Sequence, residues 1–128
     1  MSEAVQEKRQ PKKPIPHGVP DPRKFMHPVL LKNMGNWRYH DRPRPGVLHH
    51  VAKSGDEVWT VRAGTQRQMD VWTIRKLCDI ADQYGDSYMR FTIRSNVEMT
   101  VADPNKVEPL IKALEDNGFP VGGTGNSM

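Results

Sequence analysis

The stretch "MRFTIRSNVEMTV" (Met89–Val101) decides how the rest of the chain is read. Alternate side chains of an extended strand point to opposite faces. Two strands are expected here, about 88–94 and 97–101, joined tightly at Ser95–Asn96. Met89, Phe91 and Ile93 then share one face with Val97, Met99 and Val101. Arg90, Thr92 and Arg94 share the other face with Glu98 and Thr100. An apolar row beneath covering helices is ordinary sheet design. Two arginines, two residues apart on the opposite face, call for a partner.

Upstream, "GVLHHVA" (46–52) and "EVWTVRA" (57–63) are β-rich runs separated by "KSGD", a hairpin signal. Trp59 and Val61 share one face of the second run, and Val58, Thr60 and Arg62 the other. Asp70 is placed to cap a helix through 71–84, with Val71, Ile74, Leu77, Cys78, Ala81 and Tyr84 on one stripe. Met69 and Ile74 have the spacing of a hydrophobic staple, and Gly85 ends the helix. Asp103 caps a second helix with Pro104 at its first position. Val107, Leu110, Ile111 and Leu114 form its stripe, and Gly118 stops it. Pro109 removes a backbone hydrogen bond, so this helix is expected to kink or begin late.

The order β-β-α-β-β-α predicts an α+β fold, a ferredoxin-like half-domain, over 46–120. Both helices cover one sheet face and bury its apolar rows. Arg62, Arg90 and Arg94 then converge on the uncovered face. Guanidinium is a planar fork of donors that stays charged. Such a face suits a ligand with several carboxylates or a small oxyanion. The plain alternative is a solvated sheet with cross-strand Arg–Glu pairs, and the residues alone leave both readings open.

The flanks differ from this unit. "EKRQPKKPIPHGVPDP" holds five of the eleven prolines, so residues 1–24 are expected to form an extended basic arm. Residues 25–45 read as an irregular segment, punctuated by Pro28, Pro43 and Pro45 and apolar enough to pack on the domain or on a second chain. Residues 121–128 read as the start of a continuation, since the closing strand of the unit would follow "GFPVGGTG".

A chain of 128 residues bounds the fold to one ordinary domain. Cys78 is its one cysteine, which excludes an internal disulfide and a CxxC metal site. No apolar run approaches the ~18 residues of a membrane span, and the N-terminus has no secretory h-region. A cytoplasmic setting is expected. The formal net charge is +4, but residues 1–24 carry six Lys/Arg against three acidic residues, so most of the basicity lies in the arm. The folded part lacks the electrostatic footprint of a nucleic-acid binder. His49 and His50 point to opposite faces, and with His17, His27 and His40 they show no ligand spacing, so no metal site is expected. "GGTG" lacks the Lys-Ser/Thr of a phosphate loop. No catalytic triad or paired carboxylates stand out.

Four segments carry a resemblance: "HPVLLKNMGNWRYH", "PGVLHHVAKSGDEVWTVRAGTQRQM", "TIRKLCDIADQYGDSYMRFTIRSNVEM" and "GFPVGGTG". From about Phe25 onward the chain resembles the N-terminal part of the beta subunits of dissimilatory (siroheme) sulfite reductases, with their nitrite/sulfite reductase ferredoxin-like half-domain. The basic leader is similar to versions from sulfur oxidisers, which run the enzyme in reverse. The resemblance implies a six-electron interconversion of sulfite and sulfide. It implies siroheme as cofactor, gripped through its carboxylates by Arg90, Thr92, Arg94 and Asn96. It implies Arg62 as the catalytic arginine on the sulfite side, and Gln66 and Arg67 as further candidates for the cavity. Implied partners are an alpha subunit, in a heterotetramer, and a small sulfur-carrier protein with a C-terminal cysteine arm. The family's four-cysteine [4Fe–4S] site has no counterpart in these residues. The chain therefore reads as a truncated subunit, expected to be inactive alone and to hold siroheme weakly or not at all.

Two other functions fit the same pattern. RNA-recognition domains also use an exposed ferredoxin-like sheet, but they stack bases on central aromatics, and here those positions hold Arg90, Thr92 and Arg94. A subunit-docking domain without a catalytic role would use residues 25–45.

Overall fold

A computed structural model describes residues 21–122. The arm expected over 1–24 lies outside the described residues except for its last four. So does the continuation beyond Gly122.

Five strands form one antiparallel sheet: β1 (Trp37–Arg44), β2 (Val47–Ala52), β3 (Glu57–Gly64), β4 (Met89–Phe91) and β5 (Asn96–Val101), in the spatial order β1-β2-β3-β5-β4. Tight turns set the registers. Pro45 followed by Gly46 at φ +80° joins β1 to β2, the residue pattern of a type II turn. Gly46 cannot be replaced freely, because a Cβ there would stand 2.5 Å from the Gly122 backbone nitrogen. The loop Lys53–Asp56 joins β2 to β3 with Gly55 at φ +95°, which confirms the expected hairpin.

Three helices follow their caps. α1 (Pro28–Lys32) starts at His27, whose Nδ1 accepts from the Val29 amide at 3.1 Å. α2 (Val71–Tyr84) is capped by Asp70, which accepts from the Thr73 amide at 2.8 Å. A side-chain hydrogen bond with Thr73, and then this amide bond, hold the Asp70 carboxyl below the usual range. Asp103 caps a short 3-10 turn, Pro104–Lys106, and α3 (Val107–Asp116) begins only after it. This late start resolves the difficulty with Pro109. It now sits in the first helical turn, where a missing N–H has no partner to lose.

α2 and α3 lie side by side on one face of the sheet. Leu77, Ile80, Leu110, Ile111 and Leu114 bury Val61, Val97, Met99 and Val101, with Trp59 and Met89 at the margin. Each fully buried side chain of this size contributes roughly 1.5–3 kcal/mol. After α3 the chain returns to the sheet. Val121 bridges Ala63, and Gly64 N donates to Pro120 O at 2.8 Å.

Three expectations change. Residues 25–45 are largely regular, since they contain α1 and the edge strand β1. β4 ends at Phe91, because Ile93–Ser95 form a three-residue loop with Ser95 at φ +64°. Phe91 and Ile93 are therefore exposed, not buried beneath the helices, and Ile93 is fully so. On α2 the buried stripe is Leu77, Ile80 and Ala81, which face α3 and the sheet, while Val71, Ile74, Cys78 and Tyr84 are exposed.

Candidate functional site

The face opposite α2 and α3 carries a row of three charged residues. The register places Arg62 of β3 beside Glu98 of β5, and Glu98 beside Arg90 of β4. Glu98 Oε1 accepts from Arg62 Nε at 2.8 Å and from its Nη2. Glu98 Oε2 accepts from Arg90 Nε at 2.9 Å and from its Nη2 at 2.6 Å. The Glu98 side chain is 5% exposed, Arg62 28% and Arg90 72%. Cross-strand Arg–Glu pairing is thus present, and it runs through one buried carboxylate.

Beside this row, Arg62, Arg90, Phe91, Thr92, Ile93, Arg94 and Asn96 line one open hollow of about 330 Å³. The loop after β4 brings Arg94 to its rim, and Thr92 Oγ1 accepts from the Asn96 amide at 3.1 Å. Arg62, Arg90, Thr92, Arg94 and Asn96 are therefore brought together. Gln66 is not among them. It lines a separate cleft of about 550 Å³ between the end of β3, the start of α2 and the segment Asn117–Pro120. Arg67 is exposed in the loop before α2. Sequence reasoning missed Glu98 as the hub of the site. Its signal was visible only as an acidic residue opposite two basic ones in the paired register.

The sheet face is not bare. Residues Pro22–Leu30 roof part of it and enclose a second cleft of about 530 Å³. Phe25, Leu30, Leu48 and Tyr88 supply apolar walls, and Thr60, Thr100, Glu98, Arg62 and Arg90 a polar floor. The two hollows share Arg62 and Arg90. The roof is anchored at Asp86. His27 Nδ1 accepts from the Val29 amide, so its proton sits on Nε2 and is donated to Asp86 Oδ2 at 2.8 Å. Lys106 Nζ donates to Asp86 Oδ1 at 2.6 Å, and the Ala102 amide to Oδ2 at 2.9 Å. Burial opposes the Asp86 charge, but these hydrogen bonds outweigh it and lower its pKa. Asn33, at the end of α1, is bonded to Asp56 and Ser54 of the β2–β3 turn.

A histidine pair borders the second cleft. His40 Nδ1 and His50 Nδ1 are 2.6 Å apart, so one donates while the other accepts. His50 is held below an ordinary histidine's 6.5, by burial first and then by His40 and His49, against the opposite pull of Glu98 and Asp41. The unfolded chain therefore takes up this proton first as pH falls. Stability is expected to decline as pH drops below about 6.5 toward the lowered folded value. Urea unfolding at pH 7.5 and 5.5 measures the slope, and His50→Gln is expected to reduce it. An unchanged slope would reassign the effect to other groups. Among the described residues, no group of three or more His, Cys, Asp or Glu could hold a metal ion. No helix there is long and apolar enough to cross a membrane.

Comparison with known proteins agrees with this architecture. The profile of the nitrite/sulfite reductase ferredoxin-like half domain matches residues 50–117. The chain is 47% identical over 112 residues to the dissimilatory-type sulfite reductase subunit beta of Archaeoglobus fulgidus, covering 87% of this chain and 31% of that protein. It is 48% identical over 127 residues to the subunit of the same name from Nitratidesulfovibrio vulgaris, covering 90% and 33%. The Megalodesulfovibrio gigas subunit is 42% identical over 130 residues, covering 92% and 50%. The chain thus spans between about a third and a half of the length of these curated relatives.

Proposed function

The chain belongs to the nitrite/sulfite reductase family with a ferredoxin-like half domain, and from that premise we propose that it forms the N-terminal part of a dissimilatory-type sulfite reductase beta subunit. Its role there is to supply arginine contacts to siroheme and to sulfite. The observation that carries this reading is the single hollow lined by Arg62, Arg90, Thr92, Arg94 and Asn96 on the face opposite α2 and α3. Three guanidiniums, a hydroxyl and an amide form a donor set that fits the many carboxylates of siroheme. The adjoining apolar cleft, which shares Arg62 and Arg90, gives an amphiphilic ligand a second wall.

In this reading Arg90, Thr92, Arg94 and Asn96 hold the carboxylates, and Arg62 binds the anionic substrate. Gln66 and Arg67 lie away from this hollow and are kept only as candidates for a wall completed by other chains. Siroheme and its [4Fe–4S] cluster, when bound, would relay electrons from an external donor to sulfite, or carry them away to an acceptor in the reverse direction. With Cys78 as its one cysteine, this sequence does not itself supply the four thiolates of such a cluster. The partners are an alpha subunit in a heterotetramer and a small sulfur-carrier protein with a cysteine arm. The setting is cytoplasmic. On this face Arg62, Glu98 and Arg90 fill the cross-strand row where an RNA-recognition sheet would stack bases on aromatics, which disfavours RNA.

The test uses the full-length subunit assembled with its partner. Arg90→Ala and Arg94→Ala are each expected to remove about 1.5–3 kcal/mol of charge-assisted binding and to lower siroheme per protein, read by visible absorbance. Full haem content in both variants would remove the cofactor role from this face.

A further inference from the structure

The following inference rests on reading the arginine hollow as a polycarboxylate site. We propose that Glu98 is its positioning residue: the carboxylate divides its two oxygens between Arg62 and Arg90, and so sets the spacing and orientation at which both guanidiniums meet a ligand.

The three residues lie in one cross-strand row, with Glu98 in the middle. Glu98 is the fixed point, because its side chain is nearly buried while that of Arg90 is mostly exposed. Each arginine is gripped along one edge, through Nε and Nη2. The second terminal nitrogen, Nη1, stands outside this pairing on both, so a ligand carboxylate can be received without displacing Glu98. Two long arginine side chains on the strands flanking β5 otherwise repel each other and sample many rotamers. The carboxylate between them offsets the repulsion and restricts the rotamers on folding, before any ligand arrives.

The proposal makes a prediction opposite in sign to simple electrostatics. Glu98→Gln raises the local positive charge by one, and Coulomb attraction alone then tightens the binding of an anion. Positioning predicts the reverse. Each Glu98 oxygen faces one arginine, and in the amide one of those two acceptors becomes an NH₂ donor that meets a guanidinium donor to donor.

The experiment titrates a metal-free octacarboxylate porphyrin into the cofactor-free full-length subunit assembled with its partner, followed by porphyrin fluorescence, for wild type, Glu98→Gln and Arg90→Ala. In parallel, arginine Nε–H resonances are recorded without ligand. Glu98→Gln is expected to bind about tenfold more weakly, and to lose the exchange protection of at least one of the two Nε–H groups seen in wild type. Equal or tighter binding by Glu98→Gln, with Arg90→Ala weakened, overturns the positioning role and leaves Glu98 a counter-charge only. No binding by wild type overturns the polycarboxylate reading itself, and the positioning role falls with it. If amide spectra show that Glu98→Gln does not fold, Glu98→Asp replaces it, keeping the charge but withdrawing the carboxylate by one methylene. Weaker binding by that variant supports the proposal, and wild-type binding overturns it.

Discussion

Arg62→Ala, placed in the assembled enzyme with its full-length subunit, is expected to keep its siroheme and lose about 100-fold or more of its sulfite turnover. The expectation follows from where Arg62 is held. Its amide donates to Gly46 O at 2.7 Å, and its carbonyl accepts from the Gly122 amide at 3.2 Å. Its backbone is thus fixed between the β1–β2 turn and the returning segment after α3. Its side chain is more enclosed than that of Arg90. A cationic donor fixed in a water-poor site stabilises charge on a reacting oxyanion without reorganising, and removing one such donor costs about 10²–10³ in rate. Arg90 and Arg94, nearer the rim, are expected to act on occupancy instead. The measurement is haem content and turnover on the same preparation. Normal haem with full turnover would remove the substrate role, and loss of haem together with turnover would move Arg62 to the cofactor-holding set.

Much of this site was legible because it rests on period-two alternation. The register of β3 and β5 puts Val61 and Met99 under the helices and Arg62 and Glu98 on the other side, as the pattern requires. The caps at Asp70 and Asp103 were equally readable, since each offers a side-chain oxygen to an amide two or three residues on. What failed has physical causes. β1 is an edge strand of mostly exposed residues with Pro43 inside it. It has neither alternation nor a free run of amide donors to betray it. The turn after β4 carries no glycine, because Ser95 takes the left-handed position. Alternation therefore seemed to continue through Phe91 and Ile93 where the strand had stopped. Glu98 is legible as a member of this face but not as its hub, for another reason. Its importance lies across strands, in a row that no single strand's periodicity contains.

That row leads to the second large effect. Replacing both arginines, Arg62→Met with Arg90→Met, is expected to destabilise the chain by about 3 kcal/mol, more than replacing all three charged residues. The double variant strands a carboxylate that is 5% exposed, and the described hydrogen bonds to it come from these two arginines. A buried ion that has lost its partners keeps its desolvation cost without the compensating attraction. Adding Glu98→Leu removes that cost and leaves three apolar side chains in one row, so most of the lost stability is expected to return. Arg90→Met alone is expected to cost little, because that side chain is 72% exposed and surface pairs contribute about 0–1 kcal/mol. Urea unfolding of the four proteins at one pH measures all three differences. If the double variant is as stable as wild type, Glu98 is compensated by something other than these arginines. If the triple variant is no better than the double, the loss belongs to the packing of the arginine stems over the sheet and not to the stranded charge.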